Sequence, residues 1–372
     1  MLRVAAFHIE NINSKCLSSI GIYLRDIYRF NQKNKKVSLM FLGPKDQTKG
    51  EISSIGLFPL LKNKGLIPIS VKILLYLTLK IFYLKKFDAL WFQHVIYVLP
   101  TLFLSKKTKV VLTIHGREGC NVSPYYGQPF KTFLVALAER IAIRKSARVI
   151  VLNREDLKYY RRKFPAQKDK FLLIPTFFDE HKFKFQNKEA AKKQLKLARK
   201  RVFIYTGRLV NSKGVNKSLE IFALYRRENR ASIFLVIGNG DEKESLKNKA
   251  AGLGIKSAVK FISQLENAKL PVYYQAADIF IISSASEGLP ISCLEAMACG
   301  TPVLAREAVG INELVQNGIN GYLFSQEEDS HQLVNKIEKI FSDKKIGCST
   351  KKSVEKFSSS AVCPKIINFL AQ

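Results

Sequence analysis

Short apolar runs separated by stretches of helical period recur along the whole chain. Leu2–Phe7, Lys36–Leu42, Ala89–Phe92, Lys109–Ile114 and Arg148–Leu152 are runs of this kind and predict strands. Phe130–Lys145 has the spacing of a helix. A second series begins at Arg201–Tyr205 and continues through Ile233–Ile237, Val259–Ile262, Asp278–Ile282, Pro302–Ala305 and Gly321–Phe324. Strands that alternate with helical connections predict an α/β chain built on parallel sheets. The polar, lysine-rich stretch Phe177–Lys200 separates the two series and marks the expected boundary between domains. The expected division is 1–180, 181–352 and a terminal segment 353–372, within which Ser353–Leu370 has helical spacing.

The richest stretch for chemistry is Ser286-Glu287-Gly288-Leu289-Pro290-Ile291-Ser292-Cys293-Leu294-Glu295-Ala296-Met297-Ala298-Cys299-Gly300-Thr301-Pro302. Ser283 to Leu289 reads as a loop, Pro290 as a first-turn residue, Gly300 as the helix end, and Pro302 as the bar to its resumption. A helix N-terminus at the carboxyl end of a parallel strand attracts anions, because free amides and the macrodipole both point there. Glu287 would lie beside such an anion and Glu295 about two turns deeper, an axial separation of roughly 10 Å at the helical rise per residue. Two hydroxyl-bearing groups flanking a diphosphate match that spacing. Upstream, Gly207-Arg208 follows a strand and Lys213-Gly214 opens the next helix, so two cations converge on a loop facing the same crevice. Gly238-Asn239-Gly240-Asp241 ends another strand, and a plain strand-to-helix turn accounts for it.

Together with Gly310–Tyr322, these stretches closely resemble the E-x7-E segment and neighbouring loops of the retaining GT-B glycosyltransferases of glycosyltransferase family 4, the glycosyl transferases group 1. The resemblance covers about residues 200–325 and extends only loosely over the first half. It implies a GT-B fold, two Rossmann-like domains facing a central cleft, with a C-terminal helix crossing back to the first. It also implies transfer of a hexose from a nucleotide sugar, by family frequency a UDP-sugar, with retention of anomeric configuration. On the resemblance, Arg208 and Lys213 bind the donor diphosphate and stabilise charge on the departing nucleotide. Glu287 approaches the hexose, Glu295 accepts hydrogen bonds from the ribose hydroxyls, and Gly288, Leu289, Pro290 and Ile291 supply loop contacts to hexose and phosphate oxygens. His115, in Val111-Leu112-Thr113-Ile114-His115-Gly116, resembles the active-site histidine near the reacting carbon. His94, after Phe92-Gln93, fits the wall of an acceptor cleft or simple packing. One departure stands out. Many relatives have a paired-glycine loop after the first strand, whereas His8 to Cys16 holds no glycine.

Composition narrows the setting. A chain of 372 residues with 47% hydrophobic content supports two cores. Six cysteines without a C-x-x-C pair fit a reducing compartment. The first strand begins almost at Met1 with nothing like a signal peptide before it, so a cytoplasmic location is expected. The net charge is +31, and residues 1–180 hold 31 Lys+Arg against 12 Asp+Glu, a local net of +19. That field favours an anionic partner. The apolar stretch Gly65–Leu84 contains Lys72 and Lys80, which argues against a spanning helix and for an amphipathic surface helix or a half-buried one. Lys158–Phe164 interleaves basic and aromatic side chains, a mixture suited to lipid headgroups; no nucleic-acid module accompanies it.

The expected protein is a hexosyltransferase attached peripherally and electrostatically to the inner face of the cytoplasmic membrane. Its acceptor would be a glycan or lipid-linked precursor in bacterial surface-polysaccharide assembly, lipopolysaccharide or capsule. No metal or other cofactor is expected, since the chain lacks the Asp-x-Asp pair that holds a metal on a donor diphosphate in GT-A transferases. Two alternatives remain open at this point: a GT-B relative that epimerises a nucleotide sugar, and a degenerate, non-catalytic basic binding protein.

Overall fold

The computed structural model describes residues 1–7, 19–44, 54–58, 69–104, 107–117, 129–263 and 265–371. The glycine-free stretch after the first strand lies outside them. The chain divides into one unit of Met1–Thr176 with Ser359–Gln372 and a second of Phe177–Ser358. The crossings fall four residues before and six residues after the boundaries expected from composition.

The first unit holds strands β1 (Arg3–Phe7), β2 (Ser38–Pro44), β3 (Ser54–Phe58), β4 (Ala89–Phe92), β5 (Lys109–Ile114), β6 (Arg148–Val151) and β7 (Phe171–Leu173). They pair in parallel in the order β3-β2-β1-β4-β5-β6-β7. The second holds β8 (Arg201–Thr206), β9 (Ser232–Ile237), β10 (Val259–Ile262), β11 (Ile279–Ile282), β12 (Val303–Arg306) and β13 (Gly321–Phe324), again parallel, in the order β10-β9-β8-β11-β12-β13. Both sheets start in the middle, wind outward to one side, then cross back and wind to the other. That is the doubly wound order, and it opens a crevice at the carboxyl ends of the two central strands, where the loops diverge. In the second sheet these strands are β8 and β11.

The apolar runs became strands because parallel strands are covered on both faces. Each of β4, β9 and β11 is buried along its whole length. Two strands, β3 and β7, escaped the pattern. Both are short sheet edges, and β3 carries a glycine in its middle.

Asp278 shows how a charge is tolerated at the base of this core. Its carboxylate accepts from the Val202 amide at 2.8 Å, from Lys192 at 2.8 Å and from Lys188 at 3.2 Å, which fastens the start of β11 to β8 and to the helix Lys188–Gln194.

Two sequence expectations change here. Lys158–Phe164 lies mostly on the helix Arg154–Lys163, where Tyr160 and Phe164, four residues apart, both point into the core. The Tyr160 hydroxyl donates to Glu139 Oε1 at 2.8 Å, and Lys163 pairs with Glu139 Oε2 at 2.5 Å. Tyr160 and Phe164 thus help hold the first unit together, while Lys158, Arg161 and Arg162 stay exposed on the same helix. The terminal stretch is not one helix. Ile346–Val354 and the turn Glu355–Phe357 stay with the second unit, fixed by the Phe178 amide donating to the Phe357 carbonyl at 3.1 Å. The helix Ser359–Leu370 then joins the first unit. It packs on the helix Ser19–Asn34, and Lys36 Nζ donates to Asn368 Oδ1 at 2.8 Å. Among the described residues no helix is long and apolar enough to cross a membrane.

Candidate active site

Loops from four strands meet at the crevice of the second sheet. After β8 the chain turns through Gly207 and Arg208 into the short turn Asn211–Lys213 and the helix Val215–Glu228. After β11 it runs through Ser283 to Pro290 into the helix Ile291–Ala298. Because β8 and β11 are neighbours, the two loops touch. Ser218 and Ser283 share a hydrogen bond of 2.9 Å between hydroxyls, and the Ala285 amide reaches the Ser212 carbonyl at 3.4 Å. At their outer end Lys213 Nζ donates to Glu287 Oε1 at 2.6 Å, with 23% and 12% of the two side chains exposed.

The backbone is close-packed here, and glycines allow it. A Cβ on Gly238, after β9, would stand 1.8 Å from the Gly207 carbonyl oxygen, while the Leu209 amide donates to Asn239 O at 2.9 Å. The Gly238-Asn239-Gly240 turn therefore supports the Arg208 loop from below. Gly310, beyond β12, does the same for the Glu287 loop. Its φ is +79°, and a Cβ there would stand 2.1 Å from Gly288 O and 2.6 Å from Glu287 O. Arg208 is solvent-exposed, and its carbonyl accepts from the Tyr205 hydroxyl at 3.0 Å.

The motif helix starts one residue later than its sequence suggests. Pro290 is the N-cap, its carbonyl accepting from the Cys293 and Leu294 amides at 3.1 and 3.3 Å. Having no amide hydrogen, Pro290 cannot donate to a ligand. Its contribution is to set the entry of the helix, and of the four predicted loop residues Gly288, Leu289 and Ile291 carry an amide hydrogen. The amides of Ile291 and Ser292 open the helix, where no carbonyl one turn earlier is available to them. At the other end, Gly300 and Thr301 amides bond to the Met297 and Ala296 carbonyls at 2.9 and 3.0 Å, a Schellman closure.

Glu295 sits on this helix and is 5% exposed. The Tyr274 hydroxyl, wholly buried, donates to Glu295 Oε2 at 3.0 Å. With its only proton so used, that hydroxyl must accept from Thr206 Oγ1, 2.5 Å away at the end of β8. Burial, reinforced by the charge of Glu295, pushes the Tyr274 hydroxyl well above its ordinary pKa, so it remains a donor. Neither Tyr274 nor Thr206 carries a motif, and only the fold shows that they hold Glu295. Replacing Tyr274 with phenylalanine keeps the volume and removes the bond. We expect this to cost about 1–3 kcal/mol of stability and to weaken donor binding; an unchanged melting temperature and an unchanged KM would show that Glu295 is held by other groups. On the same helix Cys293 and Cys299 are free thiols whose pKa burial pushes upward, leaving them protonated and inert.

His115 belongs to the other unit, just past β5. Its Nε2 lies 2.8 Å from Gln93 Oε1, and the two share a hydrogen bond. Tyr23 meets the ring edge-on at 6.0 Å. Gln93, just past β4, is 2% exposed and holds one side of the ring, a role hidden in Phe92-Gln93-His94. His94 packs edge-on against Tyr97 at 5.8 Å. The structure thus brings Lys213 and Glu287 into contact, places Arg208 and Glu295 on the adjoining loop and helix, and leaves His115 in the first unit. Among the described residues, no group of three or more His, Cys, Asp or Glu side chains could hold a metal ion.

Comparison with known proteins agrees with this geometry. Residues 186–360 match the family model described as glycosyl transferases group 1. Alpha-D-kanosaminyltransferase of Streptomyces kanamyceticus is 27% identical over 190 residues, which is 50% of this chain and 48% of that protein. The chain spans about half the length of the first curated relatives it matches. Among solved structures, sucrose-phosphate synthase from Thermosynechococcus elongatus superposes with a TM-score of 0.83 at 20% identity, covering 99% of this chain and 98% of that one. Anabaena HepE in complex with UDP and glucose superposes at 0.77 with 18% identity over the whole of both chains. Residues 186–360 are thus similar to the glycosyl transferases group 1 family, and the fold of the chain is GT-B.

Proposed function

We propose that this protein transfers a hexose from a nucleotide sugar, by preference a UDP-sugar, to a glycan or lipid-linked acceptor with retention of anomeric configuration. One observation carries the reading: a lysine, a carboxylate and a helix N-terminus meet at the switch point of the second sheet, with a buried glutamate farther along the same helix. Fixed positive groups at this place stabilise negative charge without reorganising during reaction.

The assigned roles follow from position. The diphosphate lies against Arg208, Lys213 and the amides of Gly288, Leu289 and Ile291. Lys213 has three N–H donors and gives one to Glu287, leaving two for phosphate oxygens. Glu287, oriented by that bond, accepts from hydroxyls of the hexose, and Glu295 accepts from those of the ribose. In the reaction the bond from the anomeric carbon to the diphosphate oxygen breaks as the acceptor oxygen attacks from the same face. The acceptor proton passes to the leaving phosphate oxygen. His115 is the residue of the first unit assigned to the transferred sugar. The basic first half suits an acceptor carried at an anionic membrane surface, as in surface-polysaccharide assembly.

No divalent metal is assigned, because Arg208, Lys213 and the helix N-terminus supply the positive charge. Transfer by the purified protein should therefore continue in excess EDTA. Activity that vanishes with the chelator and returns with magnesium or manganese would overturn this arrangement. Donor identity can be screened by melting the protein with each nucleotide sugar, since a ligand at a hundredfold excess over its dissociation constant adds about 2.7 kcal/mol. Conversion of a nucleotide sugar without an acceptor would indicate epimerisation instead.

A further inference from the structure

Large apolar side chains left in water are concentrated on one side of the first unit. On the helix Ile69–Leu79, Ile73 and Leu77 are buried, whereas Val71, Leu75 and Leu79 are exposed, spaced by four residues along one face. On the helix Pro129–Lys145, Phe130, Phe133, Leu134 and Leu137 form a second exposed stripe with helical spacing, while Ala142 and Ile143 enter the core. Both helices pack on the 3-10 segment Val95–Phe103, which ends in exposed Leu102 and Phe103, and the short helix Ile81–Leu84 adds Phe82. Phe82, Phe103 and Phe130 are each more than 70% exposed. Single apolar residues on a surface are ordinary; two helical stripes beside two further aromatics are a patch that asks for a partner.

The charges around the patch name the partner. Lys80, Lys85, Lys86, Arg140 and Arg144 are exposed on the same elements, with Lys85 Nζ lying 4.5 Å from the Phe82 ring centroid. Among the described residues of those elements and their connections there are two acids: Glu139 is buried against Lys163 and Tyr160, and Asp88 is partly exposed and paired with Arg3. A second copy of this chain would press basic rim on basic rim at a two-fold contact. An anionic bilayer offers phosphates to the cations and acyl chains to the rings.

Deepening the membrane-surface part of the proposed function, we propose that this face inserts shallowly into an anionic lipid bilayer. Phe82, Phe103 and the Phe130–Leu137 stripe would enter the acyl boundary, with the lysines and arginines at the phosphates. The charge excess read from sequence implies attachment that salt abolishes. The apolar face predicts a remainder that salt leaves in place.

The test uses the full chain and sedimentation with phosphatidylcholine vesicles, with and without phosphatidylglycerol, at low salt and at about 1 M, where screening acts within about 3 Å. Wild type should bind anionic vesicles best and keep a measurable fraction bound at high salt. The double variants Phe82→Ser/Phe103→Ser and Phe130→Ser/Phe133→Ser should each lose that fraction, with partition constants falling about a hundredfold, roughly tenfold per ring. Lys85→Glu/Lys86→Glu should lose mainly the salt-sensitive part. Because the replaced rings are exposed, melting temperature should hold, as should the shift produced by UDP-sugars. Complete release by salt, or serine variants that bind like wild type, would overturn insertion. So would a wild-type dimer that the serine variants split, which would identify the face as a self-contact. Intact vesicle binding without any nucleotide-sugar response would sink the transferase reading and leave this one standing.

Discussion

Replacing Lys213 with alanine is expected to lower turnover by about two to three orders of magnitude, the usual loss when one preorganised group stabilising developing charge is removed. The effect should exceed any loss of stability. The Lys213–Glu287 pair keeps 23% and 12% of its side chains in solvent, so the loss of stability should stay below the roughly 3–5 kcal/mol of breaking a fully buried pair. Two consequences of the substitution act in one direction: the leaving diphosphate loses a cation, and the Glu287 carboxylate, no longer paired, repels it. The double variant Lys213→Ala/Glu287→Gln separates them. It removes the repulsion without restoring the cation, so turnover should remain low. Recovery to near the wild-type rate would show that Lys213 serves only to neutralise Glu287. A single variant within threefold of wild type would remove Lys213 from the machinery altogether.

Gly310→Ala should be the most damaging single-methyl change near the site. The added carbon would stand 2.1 Å from Gly288 O and 2.6 Å from Glu287 O, both backbone atoms, at a φ of +79°. The left-handed conformation costs about 1–2 kcal/mol and overpacking about 1–3 kcal/mol. For a unit of this size, a total of about 2–5 kcal/mol lowers the melting temperature by roughly 4–20 °C. The movement that relieves the clash shifts the loop carrying Glu287, so turnover should fall in the molecules that remain folded. Gly252→Ala is the control. It closes the helix Lys243–Gly252, and nothing lies within 4 Å of the added methyl. A Gly310→Ala protein that melts and turns over like the control would show that the Gly310 backbone does not support the site.

Much of this architecture is legible in the residues because parallel strands are wrapped on both sides and so write themselves as unbroken apolar runs. β4, β5, β10 and β13 begin and end where the apolar run does. β3 and β7 lack that signature, the first interrupted by Gly56 and the second only three residues long, and so they are silent. Pairings set by sheet order are silent too. Lys213 and Glu287 are 74 residues apart and meet only because β8 and β11 are neighbours. Tyr274 reaches Glu295 across a helix contact that no motif marks. The inward-facing part of Lys158–Phe164 is hidden for a different reason. Its composition resembles a surface patch, whereas its four-residue period sends Tyr160 and Phe164 inward, and the buried Glu139 that pairs with Lys163 is 24 residues away.

The chain passes between its two units at 176/177 and again at 358/359. The helix Ser359–Leu370 buries Val362, Ile366, Ile367 and Leu370 in the unit that the chain began. During synthesis, residues 177–358 are continuous and can close their sheet as they emerge. The segment made first must wait, with the surface meant for that helix uncovered, until residue 370 has left the ribosome. Birth order and completion order are therefore reversed. A nascent chain stalled after residue 358 would hold a finished second unit beside an unfinished first one, and that open surface is where a chaperone would be needed.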